Sequence, residues 1–164
     1  MNATADWARA FARQACSDFD ARDRILNEPS LPQCHQLHYL QMAMEKGAKA
    51  HLLAAGAEPY SVQSSHGFIA SVVPTIVRDG LGRTGAKPGW LMDAVRRYAR
   101  RVELLHPQID NAGSMPANRE YPWAGPRGEV LVPAEYDFAL DVHAEKAAVT
   151  MIKEVRARAM ELAV

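Results

Sequence analysis

Apolar residues recur at helical spacing in five stretches of the chain, and prolines and glycines lie between these stretches. The repeat of three to four residues is the period of one face of an α-helix. The first stretch shows it in Trp7, Phe11, Ala15 and Phe19. The spacing predicts helices over residues 4–27, 33–55, 66–79, 90–106 and 139–162. Pro74 lies inside the third of these and should kink or split it.

The helix over residues 33–55 is apolar around most of its circumference, which is typical of a helix at the centre of a bundle. Gly56 follows it as the expected stop. Gly47 lies in its middle, where glycine costs up to about 1 kcal/mol relative to alanine. The close approach of a neighbouring helix would account for a glycine at this position.

Three segments lack the helical period. Residues 57–65 are predicted to form a loop, and residues 80–89 a glycine-rich connector. Residues 107–138 contain five prolines and three glycines, and an irregular segment of this length is usually functional or packed as a lid. Within it, residues 120–123 and 129–132 are predicted to pair as a small hairpin.

Composition supports the helical interpretation. The chain contains 28 alanines against 21 valines, isoleucines and threonines together. Alanine favours helices, whereas β-branched residues favour strands. The 164 residues suit a single domain that buries a core. We therefore expect an all-α fold over residues 1–164: a bundle of four or five helices with an irregular, hairpin-containing insertion before the last helix.

Charge and cysteine content exclude several classes of protein. The chain has 19 Lys+Arg and 19 Asp+Glu, so a globally basic nucleic-acid binder is not expected and only a local patch remains. No uncharged apolar run reaches membrane-spanning length, and the N-terminus lacks a signal-peptide core. The two cysteines, Cys16 and Cys34, are too few for a disulfide framework. These observations predict a cytoplasmic protein, and no sequence signature calls for a cofactor.

A polar stripe runs along the predicted second helix. It consists of Cys34, His38, Gln41, Glu45 and Lys49, whose spacing places them on one face. Cysteine, histidine and glutamate together suggest a metal site, although no second helix supplies the remaining ligands. The alternative is a stripe that faces solvent or a helix–helix interface, with Glu45 and Lys49 as an ion pair.

Four arginines crowd into the predicted fourth helix: Arg96, Arg97, Arg100 and Arg101. They form two adjacent rows, and with Tyr98 nearby they suit contacts with the phosphates and a base of RNA. We take Arg96, Arg97 and Arg100 as the candidate nucleic-acid-binding residues. The alternative is a solvated face whose charges are balanced by acids such as Asp93 or Glu103.

Arg101 and His106 are the candidate catalytic pair. Five residues apart, they lie about 140° apart around an ideal helix, so they do not form a tight pair within one helix. Two copies brought together in a dimer would converge on a phosphodiester, where Arg101 holds the phosphate and His106 moves a proton. His106 would equally suit a helix C-cap, which the helix dipole favours.

The stretch over residues 37–56 resembles the second helix of HEPN domains. In that family an alanine-rich helix carries a Glu-Lys pair and then a lysine, and closes with glycine; here these are Glu45, Lys46, Lys49 and Gly56. Residues 17–26 are similar to the family's first helix, and the resemblance covers roughly residues 15–106. The segments over 120–123 and 133–138 look like an elaboration found in uncharacterised bacterial HEPN-like proteins.

The resemblance implies an up-and-down helical bundle that forms a homodimer and serves in a toxin–antitoxin or defence system. Catalytic HEPN members are metal-independent ribonucleases with an Arg-x(4–6)-His motif, and Arg101 and His106 match its spacing. Two departures are present: Val102 replaces the usual polar residue, and the motif ends a helix instead of beginning one. These departures favour a non-catalytic interaction or accessory module, with a ribonuclease as the alternative.

The aromatic residues of the irregular segment are the candidate recognition surface for a protein partner or small ligand, because aromatic residues are enriched at interfaces. They are Tyr121, Trp123, Tyr136 and Phe138. The alternative is a lid that packs over the bundle's own core. A metalloenzyme that uses His38 and Glu45 is a third hypothesis.

Overall fold

Six α-helices make up most of the chain described by the computed structural model, which covers residues 3–83, 85, 89–106 and 118–164. They are α1 (Ala3–Leu26), α2 (Gln33–Ala54), α3 (Pro59–Gln63), α4 (Ile69–Arg83), α5 (Gly89–Glu103) and α6 (Lys146–Leu162). The predicted all-α bundle is confirmed. Residues 107–117 of the predicted irregular segment, and positions 84 and 86–88 of the predicted connector, lie outside the described residues.

The helix α2 lies at the centre and packs against each of the other five helices, as its apolar circumference predicts. Leu37, Leu40 and Met44 are fully buried along it. A Cβ on Gly47 would lie 2.7 Å from Val155 Cγ1 of α6. The close approach of α6 therefore explains the mid-helix glycine. Within the described ranges, no helix is long and apolar enough to cross a membrane.

The middle of the chain differs from the prediction in two places. The predicted loop over residues 57–65 contains α3, because the Glu58 carboxylate accepts hydrogen bonds from the backbone N–H groups of Tyr60 and Ser61 at 3.0 and 2.8 Å. Such capping stabilises a helix start. The helix predicted over 66–79 begins at Ile69 and continues to Arg83 without a division at Pro74, so the expected split is wrong.

The last helix begins at Lys146 rather than at residue 139. Side chains compete with helix formation here: the Asp137 carboxylate accepts from the backbone N–H of Ala139, and Asp141 accepts from those of His143 and Ala144. Ala139 also has a positive φ of 49°, which a helix cannot contain. The apolar residues in this stretch instead anchor an extended segment to the core, with Leu140 and Val142 both buried.

We call residues 118–145 the lid, because they cover one side of the bundle. Strands β1 (Trp123–Ala124) and β2 (Val130–Leu131) form an antiparallel hairpin with Trp123 opposite Leu131. The second strand lies within the predicted residues 129–132, whereas the first begins only at Trp123, the last residue of the predicted strand over 120–123. Gly128, with a φ of 83°, supplies the left-handed conformation of the turn. A single 3₁₀ turn at Pro133–Glu135 follows, and Phe138 then joins the main core.

Candidate functional site

A pocket of about 310 Å³ lies between α2, the residues that follow α5, and the lid. Its apolar wall includes Leu37, Leu105, Val132, Pro133 and Phe138. Its polar groups include His38, Gln41, His106, Arg119 and Glu120. An apolar enclosure with a few convergent polar groups is the usual form of a small-molecule site.

Two histidines of the pocket share one carboxylate. His106 Nδ1 lies 2.6 Å from Glu120 Oε2, and His38 Nδ1 bonds to Glu120 Oε1. An ionised carboxylate only accepts hydrogen bonds, so both imidazoles donate their Nδ1–H to it. The Nε2 atom of each ring has no hydrogen-bond partner among the described residues and can serve a ligand.

The shared carboxylate fastens the beginning of the lid to the bundle. His38 is on α2 and His106 follows α5, whereas Glu120 belongs to the first turn of the lid. That turn is also held by a hydrogen bond from the backbone N–H of Arg119 to the Leu105 carbonyl at 3.2 Å. The Asn118 side-chain oxygen accepts from the backbone N–H of Glu120 at 3.0 Å. Three separate parts of the chain therefore fix the geometry of this site.

Arg119 brings a positive charge to the pocket. Its guanidinium lies 5.9 Å from the centre of the Trp123 ring and 6.0 Å from that of Tyr136, which is cation–π distance. Arg119 is half-buried, and it forms no ion pair with a carboxylate in the described parts of the chain. The aromatic rings therefore hold the guanidinium in place, and no carboxylate among the described residues forms an ion pair with it.

Gln41 contributes a buried acceptor to the wall of the pocket. The side chain is only 1% exposed, and its Nε2 donates to Glu45 Oε2 at 3.0 Å. Because a carboxylate cannot donate, this bond fixes which end of the amide is the oxygen. Gln41 Oε1 is buried and has no hydrogen-bond partner among the described residues, a condition that is rare for buried polar atoms.

Beneath the pocket, Glu45 forms a buried ion pair with Lys49. Their atoms Oε1 and Nζ are 2.8 Å apart, and His66 Nδ1 lies 3.0 Å from the same oxygen. Burial alone would raise the pKa of Glu45, but the hydrogen bonds and charges of Lys49 and His66 outweigh it and lower this pKa. The polar stripe of α2 thus faces a helix interface with the expected ion pair, and its solvent-facing alternative is wrong for Gln41, Glu45 and Lys49.

The structure gives Arg101 and His106 separate partners. The Arg101 guanidinium donates to the carbonyl of Ala139 and lies 5.7 Å from the centre of the Tyr98 ring. His106 instead bonds to Glu120 and has its ring 6.2 Å from that of His66. Within one chain, the candidate catalytic pair is therefore not assembled around a common point.

The candidate nucleic-acid-binding arginines are exposed on α5. Arg96 and Arg100 line a groove of about 170 Å³ between α4 and α5, together with Arg78 of α4. Arg97 is not part of this groove. Arg96 pairs with Asp93 at 2.8 Å, as the solvated-face alternative expects, whereas Glu103 accepts from the backbone N–H of Ala70.

The four candidate recognition aromatics divide into two groups. Trp123, Tyr136 and Phe138 stack on one another edge-to-face or tilted, with ring centres 4.9 to 6.4 Å apart, and they pack against the main core. Tyr121 is 65% exposed. Three of the four therefore occupy the position of a lid, and only Tyr121 presents its ring to solvent.

No three His, Cys, Asp or Glu side chains in the described residues are grouped so that they could hold a metal ion. His38 bonds to Glu120, and Glu45 bonds to Lys49 and His66. The residues proposed for a metalloenzyme thus have separate partners. This finding leaves the metalloenzyme hypothesis without structural support.

Sequence reasoning missed Arg119, Glu120 and His66. Glu120 is 82 positions from His38 and 14 from His106, so no local spacing connects them. The polar stripe that contains His38 and Gln41 was the one available signal, and it indicated only a face of α2.

The chain was compared with protein-family models, curated proteins and solved structures, and nothing matched in any of the three comparisons. The geometry of the pocket is therefore the basis for a function. That geometry combines an apolar wall, two imidazoles on one carboxylate, and two groups that have no polar partner among the described residues: the Arg119 guanidinium and the buried Gln41 Oε1.

Proposed function

We propose that the protein is a non-catalytic, HEPN-like helical module that binds a small molecule in the pocket beneath the lid and acts as an accessory to a partner. The observation that carries the proposal is the set of unused polar groups in an otherwise apolar enclosure. The Arg119 guanidinium and Gln41 Oε1 have capacity for a ligand that no described residue takes up. Buried polar groups in native proteins are normally satisfied, so we expect a bound molecule to supply the partner of the buried Gln41 Oε1.

The nucleophile chemistry of the pocket supports binding over catalysis. Cys34 is the thiol in its lining, and burial raises the pKa of this thiol. A protonated thiol is a weak nucleophile. Arg101 lies against Ala139 and Tyr98, away from the contacts of His106, so the motif of the catalytic HEPN members has no assembled counterpart within this chain.

Thermal unfolding with a small-molecule set, monitored by tryptophan fluorescence, tests the binding proposal. Ala134 is exposed and lines the pocket, so Ala134→Trp should fill the pocket mouth without disturbing the core. Ala144 is also an exposed alanine of the lid and does not line the pocket, so Ala144→Trp is the matched control. We expect ligands that raise the Tm of the natural protein and of Ala144→Trp, with the shift lost in Ala134→Trp. Equal shifts in both variants would contradict the proposal.

The HEPN resemblance adds a homodimer, a cytoplasmic location and a role in a toxin–antitoxin or defence system to this proposal. The dimer is tested by light scattering on a size-exclusion column. The chain has a mass of 18.1 kDa, and we expect twice that mass in solution. A monomer at all concentrations would remove the dimer from the proposal.

A metal-independent ribonuclease is the second candidate, and one observation favours it. The two imidazoles on Glu120 are suited to general acid–base work, in which one neutral ring takes the proton of the ribose 2′-OH on its Nε2 and the other, as an imidazolium, gives its Nε2 proton to the leaving 5′-oxygen. The 2′-oxygen then bonds to phosphorus as the P–O5′ bond breaks, which leaves a 2′,3′-cyclic phosphate. The groove of Arg78, Arg96 and Arg100 would hold the RNA backbone.

Incubation of the protein with RNA distinguishes the two catalytic arrangements. Cleavage lost in His106→Ala and Arg101→Ala, but kept in His38→Ala, assigns the reaction to the HEPN motif across a dimer. Cleavage lost in His106→Ala and His38→Ala, but kept in Arg101→Ala, assigns it to the imidazole pair. Cleavage that is equal in all variants would remove the ribonuclease candidate.

A further inference from the structure

The charge pattern of the pocket points to one class of ligand, and this inference rests on the proposed binding function. We infer that the pocket takes a small monocarboxylate with an apolar body and a hydrogen-bond donor. Each part of that description follows from a different group in the wall. The three groups are the Arg119 guanidinium, the apolar side chains and Gln41 Oε1.

The guanidinium of Arg119 calls for an anion. A guanidinium presents paired N–H groups that match the two oxygens of a carboxylate. Arg119 contacts aromatic rings and forms no ion pair in the described part of the chain, because the carboxylate of the adjacent Glu120 bonds to His38 and His106 instead. The rings of Trp123 and Tyr136 restrict the position of the guanidinium, so less side-chain entropy is lost when it binds a ligand.

A ligand with one negative charge suits the pocket better than a ligand with two. Glu120 lines the same pocket, and its carboxylate repels a second negative charge at short range. A phosphate monoester carries a charge of about −1.5 to −2 at neutral pH and would meet that repulsion. The other ionisable groups that line the pocket are Cys34, His35, His38 and His106, and none of these brings a permanent positive charge that would offset a dianion.

The remaining groups define the body of the ligand. Leu37, Leu105 and Phe138 form an apolar wall that an aryl or alkyl body would cover. Gln41 lines the pocket and its Oε1 is a buried acceptor without a hydrogen-bond partner among the described residues, so we expect a ligand with an O–H or N–H group to be favoured. The volume of about 310 Å³ is at the lower end of the range for small-molecule sites, which limits the ligand to a small acid.

Isothermal titration calorimetry with paired probes tests the inference. The probes are arylalkanoic and alkanoic acids with a hydroxyl group, each paired with its uncharged primary amide, and 4-hydroxyphenyl phosphate as the dianion. We expect acids to bind at least about tenfold more tightly than their amides, because hydrogen bonds to charged groups contribute more than neutral ones. The phosphate should bind more weakly than the acid with the same ring.

Arg119→Met is the decisive variant, and Arg127→Met is its control. Arg127 is a highly exposed arginine of the lid outside the pocket. We expect Arg119→Met to remove the preference for acid over amide, whereas Arg127→Met preserves it. Circular dichroism and thermal unfolding of both variants establish that the lid is intact.

The outcomes separate this inference from the binding function on which it rests. Amides that bind as tightly as acids, with binding abolished by Ala134→Trp, would overturn the carboxylate assignment and leave the pocket as a ligand site. Tighter binding of the phosphate than of the acid with the same ring would overturn the assignment of a single negative charge to the ligand. Acid binding that is unchanged in Arg119→Met would overturn the role of Arg119. Absence of binding by every acid and every amide would overturn this inference, and absence of any thermal shift that Ala134→Trp removes would overturn the binding function as well.

Discussion

A buried ion pair shows how strongly single side chains shape this molecule. Glu45 and Lys49 are 6% and 4% exposed, and a charge in such a position is costly unless it is paired. The pair satisfies both charges, and Gln41 and His66 complete the hydrogen bonding of the carboxylate. Removing one partner leaves the other charge buried and uncompensated.

We predict that Glu45→Gln lowers the free energy of unfolding by about 3 kcal/mol at pH 7, as expected when one partner of a buried pair is lost. Lys49→Met should do the same, and the double variant should recover much of the loss because no charge then remains unpaired. Glu161→Gln, which removes surface pairs with Arg83 and Arg158, should cost less than about 1 kcal/mol. Urea denaturation measures all four, and additive single effects would contradict the coupling.

The same pair gives a pH dependence with a definite sign. The folded-state pKa of Glu45 is lowered below its ordinary value, so its contribution to stability is complete above the ordinary glutamate pKa of about 4.3. That contribution is lost as the pH falls through the lowered value. The stability difference between the natural protein and Glu45→Gln should therefore be large at pH 7 and shrink progressively at acidic pH.

Residue patterns in the sequence were sufficient to place Glu45 and Lys49 on one face with an ion pair, because both lie on one helix at i,i+4 spacing. They were insufficient to find the partners of His38. Glu120 and Arg119 reach the pocket through tertiary folding of the lid, and sequence spacing carries no information about such contacts. Arg101 and His106 were matched by spacing alone, and the structure gives them different neighbours.

At the scale of elements, the helical period predicted the long helices but not every boundary. The apolar period identifies buried positions, and it continues through residues 139–145 because Leu140 and Val142 are buried there without being helical. The Asp137 and Asp141 side chains accept hydrogen bonds from nearby backbone N–H groups, and these bonds compete with a helix in this stretch. The start of α3 has a similar local cause in Glu58. Boundaries thus depend on side-chain–backbone bonds that the apolar pattern does not report.

The contact between α2 and α6 predicts the effect of a substitution at Gly47. Alanine there gains up to about 1 kcal/mol of helix propensity, but its Cβ would meet Val155 Cγ1 at 2.7 Å. Val155 is fully buried and β-branched, so it has few ways to move. We predict that Gly47→Ala is destabilising by about 1–2 kcal/mol, in the range typical of overpacking.

Gly82 provides the control for this prediction. It lies near the end of α4 with nothing within 4 Å of an added Cβ, so Gly82→Ala should be neutral or stabilising by up to about 1 kcal/mol. Combining Gly47→Ala with Val155→Ala should cost less than the sum of the two single changes, because the removed methyl groups make room for the new Cβ. Thermal unfolding measures these variants, and a stabilising Gly47→Ala would contradict the close approach of α6.

At the scale of the whole molecule, the lid and the bundle share one core. Phe138, Leu140 and Val142 belong to the same buried cluster as the central helix, and the bonds of Glu120 to His38 and His106 fasten the other end of the lid. The sequence indicated that this irregular segment is either a lid or a recognition surface. It could not decide between them, because aromatic residues suit both roles and burial is a property of the assembled chain.

Phe138 and Tyr121 allow the two roles to be compared directly, since both are lid aromatics but only Phe138 is buried, at 7% exposed against 65%. Phe138→Ala should lower the free energy of unfolding by about 3–5 kcal/mol, as for other buried phenylalanines, while Tyr121→Ala should change it by no more than about 0.5 kcal/mol, as for surface positions. Because Phe138 also lines the pocket, its loss should weaken ligand binding, which Tyr121→Ala should leave unchanged. Urea denaturation, followed by tryptophan fluorescence and by circular dichroism, measures the free energy of unfolding of both variants. If Phe138→Ala had the small effect expected of Tyr121→Ala, the lid would unfold independently of the bundle, and the pocket between them would not be the fixed enclosure on which ligand selection depends.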